Sequence, residues 1–86
     1  MPSRYLPARP IPPGRTIANE LEARGWTQRD LAETIGCRED VVSAIVDRQE
    51  AITSETARQL ADAFRTSAEF WVNLEANYRR GLEQRQ

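Results

Sequence analysis

Between Gln28 and Asp47 the chain places Ala32, Gly36, Val42 and Ile45 at separations of four, six and three residues. Two short helices can meet at a sharp angle only where the contact points are small. Ala32 lets a following helix come close, and Gly36 gives the turn between them a positive φ. Cys37 follows as a small hydrophobe, and Val42 and Ile45 fasten the later helix to a core. This is the steric skeleton of a helix-turn-helix, in which one short helix packs across another and protrudes from the surface.

The rest of the chain supports an all-α reading. All five prolines (Pro2, Pro7, Pro10, Pro12 and Pro13) lie within the first 13 residues. That segment cannot be helical, so residues 1–12 are expected to form an extended arm. Pro13 suits the first turn of a helix, where a missing N–H costs nothing. Five helices are predicted. The first runs from about Pro13 to Arg24, with Ile17, Ala18 and Leu21 on one face, and stops at Gly25. The second opens at Thr27, with Asp30 in capping-box position, and presents Leu31, Ala32 and Ile35 before Gly36. The third covers roughly Glu39 to Val46. The fourth opens at Thr53 and presents Ala57, Leu60, Ala61 and Phe64. The fifth opens at Thr66, with Glu69 closing a capping box, and presents Phe70, Trp71, Leu74 and Tyr78. The domain is expected to span residues 13–80, with 81–86 as a C-terminal tail. No stretch shows strand alternation.

Several functions are excluded by what the sequence lacks. The 86 residues suffice for one domain, and that domain is small enough to gain from pairing with another chain. A single cysteine, Cys37, and no histidine remove an internal disulfide, a thiol-based zinc site and the commonest general base. Neither an enzyme nor a metal or cofactor protein is expected. No apolar run reaches the roughly 20 residues of a membrane span, and no signal-peptide pattern appears at the N-terminus. The reading therefore places the chain in the cytoplasm. Every basic residue is arginine, which forks onto phosphate or guanine; base composition of the gene accounts for the bias equally well. The net charge of −1 is unevenly spread. Residues 1–19 carry three arginines and no acid. Residues 27–50 carry Arg29, Arg38 and Arg48 against Asp30, Glu33, Glu39, Asp40, Asp47 and Glu50, a balance of −3. DNA binders are usually basic, so this balance argues against high affinity for a lone subunit.

In a helix-turn-helix the N-terminal residues of the protruding helix face base edges in the major groove. Here these are Arg38, Glu39, Asp40, Ser43 and Ala44. Arg38 can fork onto guanine or hold a phosphate, Ser43 can donate or accept, and Glu39 or Asp40 can accept from cytosine N4. The two acids have an equally good structural role in stabilising the start of their helix. Gln28, opening the second helix, is placed to bond a phosphate. Arg29 and Arg48 complete the candidate DNA-binding set.

Longer phrases carry a resemblance. The marks are Pro13-Gly14, the run from Leu21 to Ala32 (Leu-Glu-Ala-Arg-Gly-Trp-Thr-Gln-Arg-Asp-Leu-Ala), Ala51-Ile52-Thr53-Ser54-Glu55-Thr56-Ala57, and Glu69-Phe70-Trp71-Val72-Asn73-Leu74. Over residues 12–78 the chain resembles the Xre/Cro-type helix-turn-helix family and, within it, HigA-type antitoxins of toxin–antitoxin modules. The resemblance implies a five-helix, lambda-repressor-like domain. It also implies a homodimer that binds operator DNA, represses its own operon and neutralises an RNase-type toxin. Two positions depart from the family pattern. Pro12 stands where a histidine is usual, and Asp47-Arg48-Gln49 replaces Asn-Gly-Lys after the third helix. Without the glycine, either the third helix runs on or the loop differs, since a left-handed arginine costs roughly 1–2 kcal/mol. Without the lysine, one phosphate contact is lost.

Phe70, Trp71, Leu74 and Tyr78 are candidates for a two-fold interface, which would set two protruding helices ~34 Å apart. Completing the monomer core is the alternative for at least two of them. The arm can reach the minor groove through Arg4 and Arg9, wrap a partner through Tyr5 and Leu6, or serve as a plain tail. Two other functions stay open. One is an interaction protein that uses its acidic surface to hold a basic toxin and has little DNA affinity. The other is a regulator domain related to those fused to ImmA/IrrE-type metallopeptidases.

Overall fold

The computed structural model describes residues 11–84. The readings made for Arg4, Tyr5, Leu6 and Arg9 lie outside the described residues. Five helices follow in order: α1 Pro13–Arg24, α2 Gln28–Ile35, α3 Glu39–Arg48, α4 Ser54–Phe64 and α5 Ala68–Gln84. No strand occurs among the described residues.

Local chemistry sets most of the boundaries. Thr27 Oγ1 accepts from Asp30 N–H at 3.0 Å while Asp30 Oδ2 accepts from Thr27 N–H at 2.9 Å, a reciprocal cap that starts α2. Gly36 ends it at φ 78°, and the N–H groups of Gly36 and Cys37 both donate to the Ala32 carbonyl at 2.9 Å. Thr53 caps α4 by accepting from Thr56 N–H at 3.1 Å.

Three boundaries differ from the sequence reading. The third helix continues two residues past Val46 to Arg48, and the left-handed position falls on Gln49 at φ 59°. The fifth helix opens one residue later than expected. Ser67 Oγ accepts from Phe70 N–H at 3.1 Å, and Thr66 Oγ1 accepts the indole N–H of Trp71 at 2.8 Å instead of capping the helix. At its other end α5 runs to Gln84, past residue 80 where the domain was expected to finish.

The core gathers Ile17 and Leu21 of α1, Leu31 and Ala32 of α2, Val42 and Ile45 of α3, and Leu60 and Phe64 of α4 around Trp71 of α5. The Phe64 ring stands 5.9 Å from the rings of both Trp26 and Trp71, a spacing that favours aromatic pairing. Arg24 joins the ends of two helices: its guanidinium lies over Phe64 and donates to the Phe64 carbonyl at 3.1 Å. Gly14, in the first turn of α1, lies directly on the backbone of α3, and a Cβ there would sit 3.0 Å from Val46 Cα and closer still to the Ile45 carbonyl oxygen. Close contact of α1 with α3 at Gly14, together with the packing of α2 against α3, leaves one long side of α3 free.

Candidate nucleic-acid interface

The free side of α3 is defined by what its other side buries. Val42, Ala44 and Ile45 point into the protein, each less than a tenth exposed. Ala44, expected to face a base edge, is 7% exposed and is withdrawn from the DNA-facing set. Glu39, Asp40, Val41, Asp47 and Arg48 are exposed, and Ser43 is half-buried.

The start of α2 joins this surface. Ser43 Oγ donates to Gln28 Oε1 at 2.6 Å. Gln28 Nε2 reaches toward Asp47 Oδ1 at 3.5 Å, too long for more than a weak contact. A short polar line therefore crosses from the first residue of α2 to the middle of α3. It leaves the Gln28 amide with a hydrogen to offer an incoming acceptor.

The arginines are drawn to neighbouring acids. Arg38 Nη2 donates to Asp40 Oδ2 at 2.8 Å. Arg29 Nε stands 3.7 Å from Glu39 Oε1, close enough for an ion pair. Arg38 occupies the N-cap of α3 with no side-chain cap bond. A serine or aspartate there would add about 1 kcal/mol of stability, so the arginine is not accounted for by helix capping. Glu39 and Asp40 in the first turn supply the complementary charge instead.

The structure thus brings Gln28, Arg29, Arg38, Glu39, Asp40 and Ser43 onto one surface, with Arg48 exposed at the far end of α3. One member of that surface escaped the sequence reading. Asp47 lies one turn beyond Ser43, on the same side of α3, with its carboxylate 3.5 Å from Gln28 Nε2. Val41 is 42% exposed but lies roughly 160° round α3 from Ser43, away from that side. Cys37, between α2 and α3, is half-buried, and burial pushes its thiol pKa up. Among the described residues no cluster of His, Cys, Asp or Glu could hold a metal ion, and no helix is long and apolar enough to cross a membrane.

Residues 17–71 match the helix-turn-helix family model. Over 73 residues the chain is 34% identical to antitoxin HigA-1 of Vibrio cholerae, a match covering 84% of this chain and 69% of that protein. Its fold superimposes on an antidote protein of the HigA family from Coxiella burnetii with a TM-score of 0.81 and 36% identity, covering 86% and 82% of the two chains. The chain belongs to the HigA branch of the helix-turn-helix family. A similar match, 33% identical with a TM-score of 0.83 and coverage of 87% and 83%, is to Pseudomonas aeruginosa antitoxin HigA solved with the higBA promoter. The chain is also 35% identical over 69 residues to the HTH-type transcriptional regulator YbaQ of Escherichia coli, covering 79% of this chain. It spans about 61% of that regulator's length.

On this HigA fold the candidate dimer residues divide. Trp71 is fully buried (0% exposed) with its indole N–H satisfied, and Tyr78 is 8% exposed with its hydroxyl donating to Gln49 Oε1 at 3.2 Å. Both complete the monomer core and are withdrawn from the interface. Phe70 is 42% exposed and stacks edge-on against Trp71, with ring centroids 5.1 Å apart. Leu74, one turn on, is half-buried against the core. Phe70 and Leu74 keep an open edge on α5.

Proposed function

We propose that this chain is a DNA-binding antitoxin that represses its own operon, reading DNA through Gln28, Arg29, Arg38, Glu39, Asp40, Ser43 and Arg48. The observation that carries the reading is the Ser43–Gln28 hydrogen bond of 2.6 Å. It ties a phosphate-binding position at the start of α2 to a base-reading position on the open face of α3, the division of labour of a helix-turn-helix. Support comes from the P. aeruginosa relatives, one described in complex with its operator DNA and one with the higBA promoter.

Two-fold pairing through Phe70 and Leu74 would present two copies of α3 to one side of a duplex. A cognate RNase-type toxin is the protein partner. A DNA target puts the chain in the cytoplasm. The test is binding to a duplex from the promoter of its own gene. Arg38→Ala and Ser43→Ala should each weaken that binding by roughly 1–3 kcal/mol, about fivefold to 160-fold, without unfolding the domain. Unchanged affinity in both would remove α3 from its role.

A second reading rests on the −3 balance of residues 27–50. There the chain acts as an antitoxin through protein contact alone. Copurification with a toxin and no mobility shift on promoter DNA at low salt would favour it.

A further inference from the structure

The acids on the DNA-facing surface are unexpected for a phosphate-binding protein. Helix capping accounts for carboxylates at the start of α3. It does not account for both Arg29, in the first turn of α2, and Arg38, at the N-cap of α3, lying on them. Two other ion pairs among the described residues, Arg24–Glu20 and Arg79–Glu75, link successive turns of one helix. Arg38–Asp40 spans two residues, and Arg29–Glu39 crosses from α2 to α3. Neither of the latter is a product of helical spacing. Both sit where DNA would meet the protein.

We propose that Glu39 and Asp40 act as built-in competitors for phosphate, holding Arg29 and Arg38 in internal ion pairs so that the chain discriminates against sequence-independent DNA binding. This rests on the DNA-binding reading above and deepens it. On a duplex of arbitrary sequence, each arginine must leave its carboxylate to reach a phosphate. The orphaned carboxylate then faces the negative potential of the groove. On a matching sequence the carboxylates find amino donors, cytosine N4 in the major groove being the natural one. The arginines are then released without leaving a charge unpaired. The predicted operator therefore carries cytosine beneath the start of α3.

Exposure makes the exchange feasible. The side chains are 83% and 74% exposed in the Arg38–Asp40 pair, and 73% and 50% in the Arg29–Glu39 pair. Exposed pairs are weak and screened by salt. Each can therefore set affinity by a factor of about three at low salt, enough to discriminate and not enough to prevent binding.

The test uses the full chain with Glu39→Gln, Asp40→Asn and the double variant, and Glu33→Gln as a control that removes the same charge elsewhere on α2. Binding is measured over a salt series to poly(dA-dT), which has no cytosine, and to the promoter duplex of the chain's own gene. Thermal melts confirm folding. The double variant should bind poly(dA-dT) about tenfold more tightly at low salt. Its slope of log affinity against log salt should steepen by roughly 1–2, because two further phosphates are engaged. Promoter affinity should not rise in step, so preference for the promoter falls about tenfold. Adding Arg29→Gln and Arg38→Gln to the double variant should return poly(dA-dT) binding to the parent level. An unchanged poly(dA-dT) affinity and slope, while the parent binds its promoter, would overturn the masking alone. So would an equal gain from Glu33→Gln. If neither parent nor variants bind any duplex, the DNA-binding reading falls and the masking with it.

Discussion

Replacing Gly14 with alanine should destabilise this domain, although alanine is the better helix former. Gly14 is the second residue of α1 and has an ordinary helical backbone, so the substitution meets no positive-φ strain. On propensity alone it would add up to about 0.5–1 kcal/mol. Space decides the sign. A Cβ at Gly14 would lie 3.0 Å from Val46 Cα and 3.1 Å from the Ile45 carbonyl carbon, with the carbonyl oxygen nearer still. All three are backbone atoms of α3 and cannot rotate away. The first turn of α1 must withdraw, and Ile17, 1% exposed, is carried away from Ile45. Overpacking of this kind costs about 1–3 kcal/mol. Against the propensity gain, a net loss of about 1–2 kcal/mol is expected. The midpoint of thermal unfolding should fall by roughly 4–8 °C for each kcal/mol in a domain of this size. Urea titrations of parent and variant, compared at equal m, measure the difference directly. A more stable variant would show that α1 and α3 do not meet at Gly14, and the reasoning would fail.

Three further substitutions have definite expected outcomes. Arg65 and Gln49 both adopt φ 59°, yet glycine should act oppositely at the two sites. Arg65→Gly should stabilise by about 0.5–1 kcal/mol by relieving a left-handed side chain. Gln49→Gly should be neutral or destabilising in the same denaturation assay, because it leaves the buried Tyr78 hydroxyl without its acceptor, which costs about 1–3 kcal/mol. Phe70→Glu should weaken self-association at least tenfold, about 1.4 kcal/mol, by sedimentation, with the monomer still folded. Phe70 is the cleaner position because Leu74 also packs against the core; an unaltered dimer would move the interface off this edge of α5.

The helical framework was legible because its punctuation is local. Thr27 with Asp30, Gly36, Thr53 and Pro13 each act within four residues of themselves, and each did what its spacing implied. Apolar stripes of period 3.6 then named the core. What stayed hidden depends on residues far apart in the chain. Thr66 and Ser67 are both good caps, and only the position of Trp71, whose indole N–H takes the Thr66 hydroxyl, leaves the start of α5 to Ser67. Trp71 and Tyr78 lie on one stripe with Leu74, and periodicity alone cannot say whether such a stripe faces its own core or a second subunit. At the candidate site the residue types and the neighbourhood were readable. Which side of Ser43 turned inward was not, because Ala44 fits a surface as easily as a core. The pairing of Arg29 with Glu39 is set by the crossing of α2 and α3, ten residues apart in sequence.

The turn after α3 shows how a departure from a family pattern is absorbed. With no glycine in Asp47-Arg48-Gln49, α3 continues to Arg48, and the left-handed residue is a glutamine. Its strain, roughly 1–2 kcal/mol, is set against a contact that glycine cannot make. Gln49 Oε1 accepts from Tyr78, whose hydroxyl would otherwise be buried without a partner. Three residues on, Glu75 Oε1 accepts from Ile52 N–H at 3.2 Å. The segment leaving α3 is therefore held at two points by α5, the helix whose outer edge carries Phe70 and Leu74. In a dimer formed through that edge, any tilt of α5 would be passed to the end of α3. The separation of the two DNA-facing helices would then be fixed by Tyr78 and Glu75 as much as by the residues that touch across the dimer.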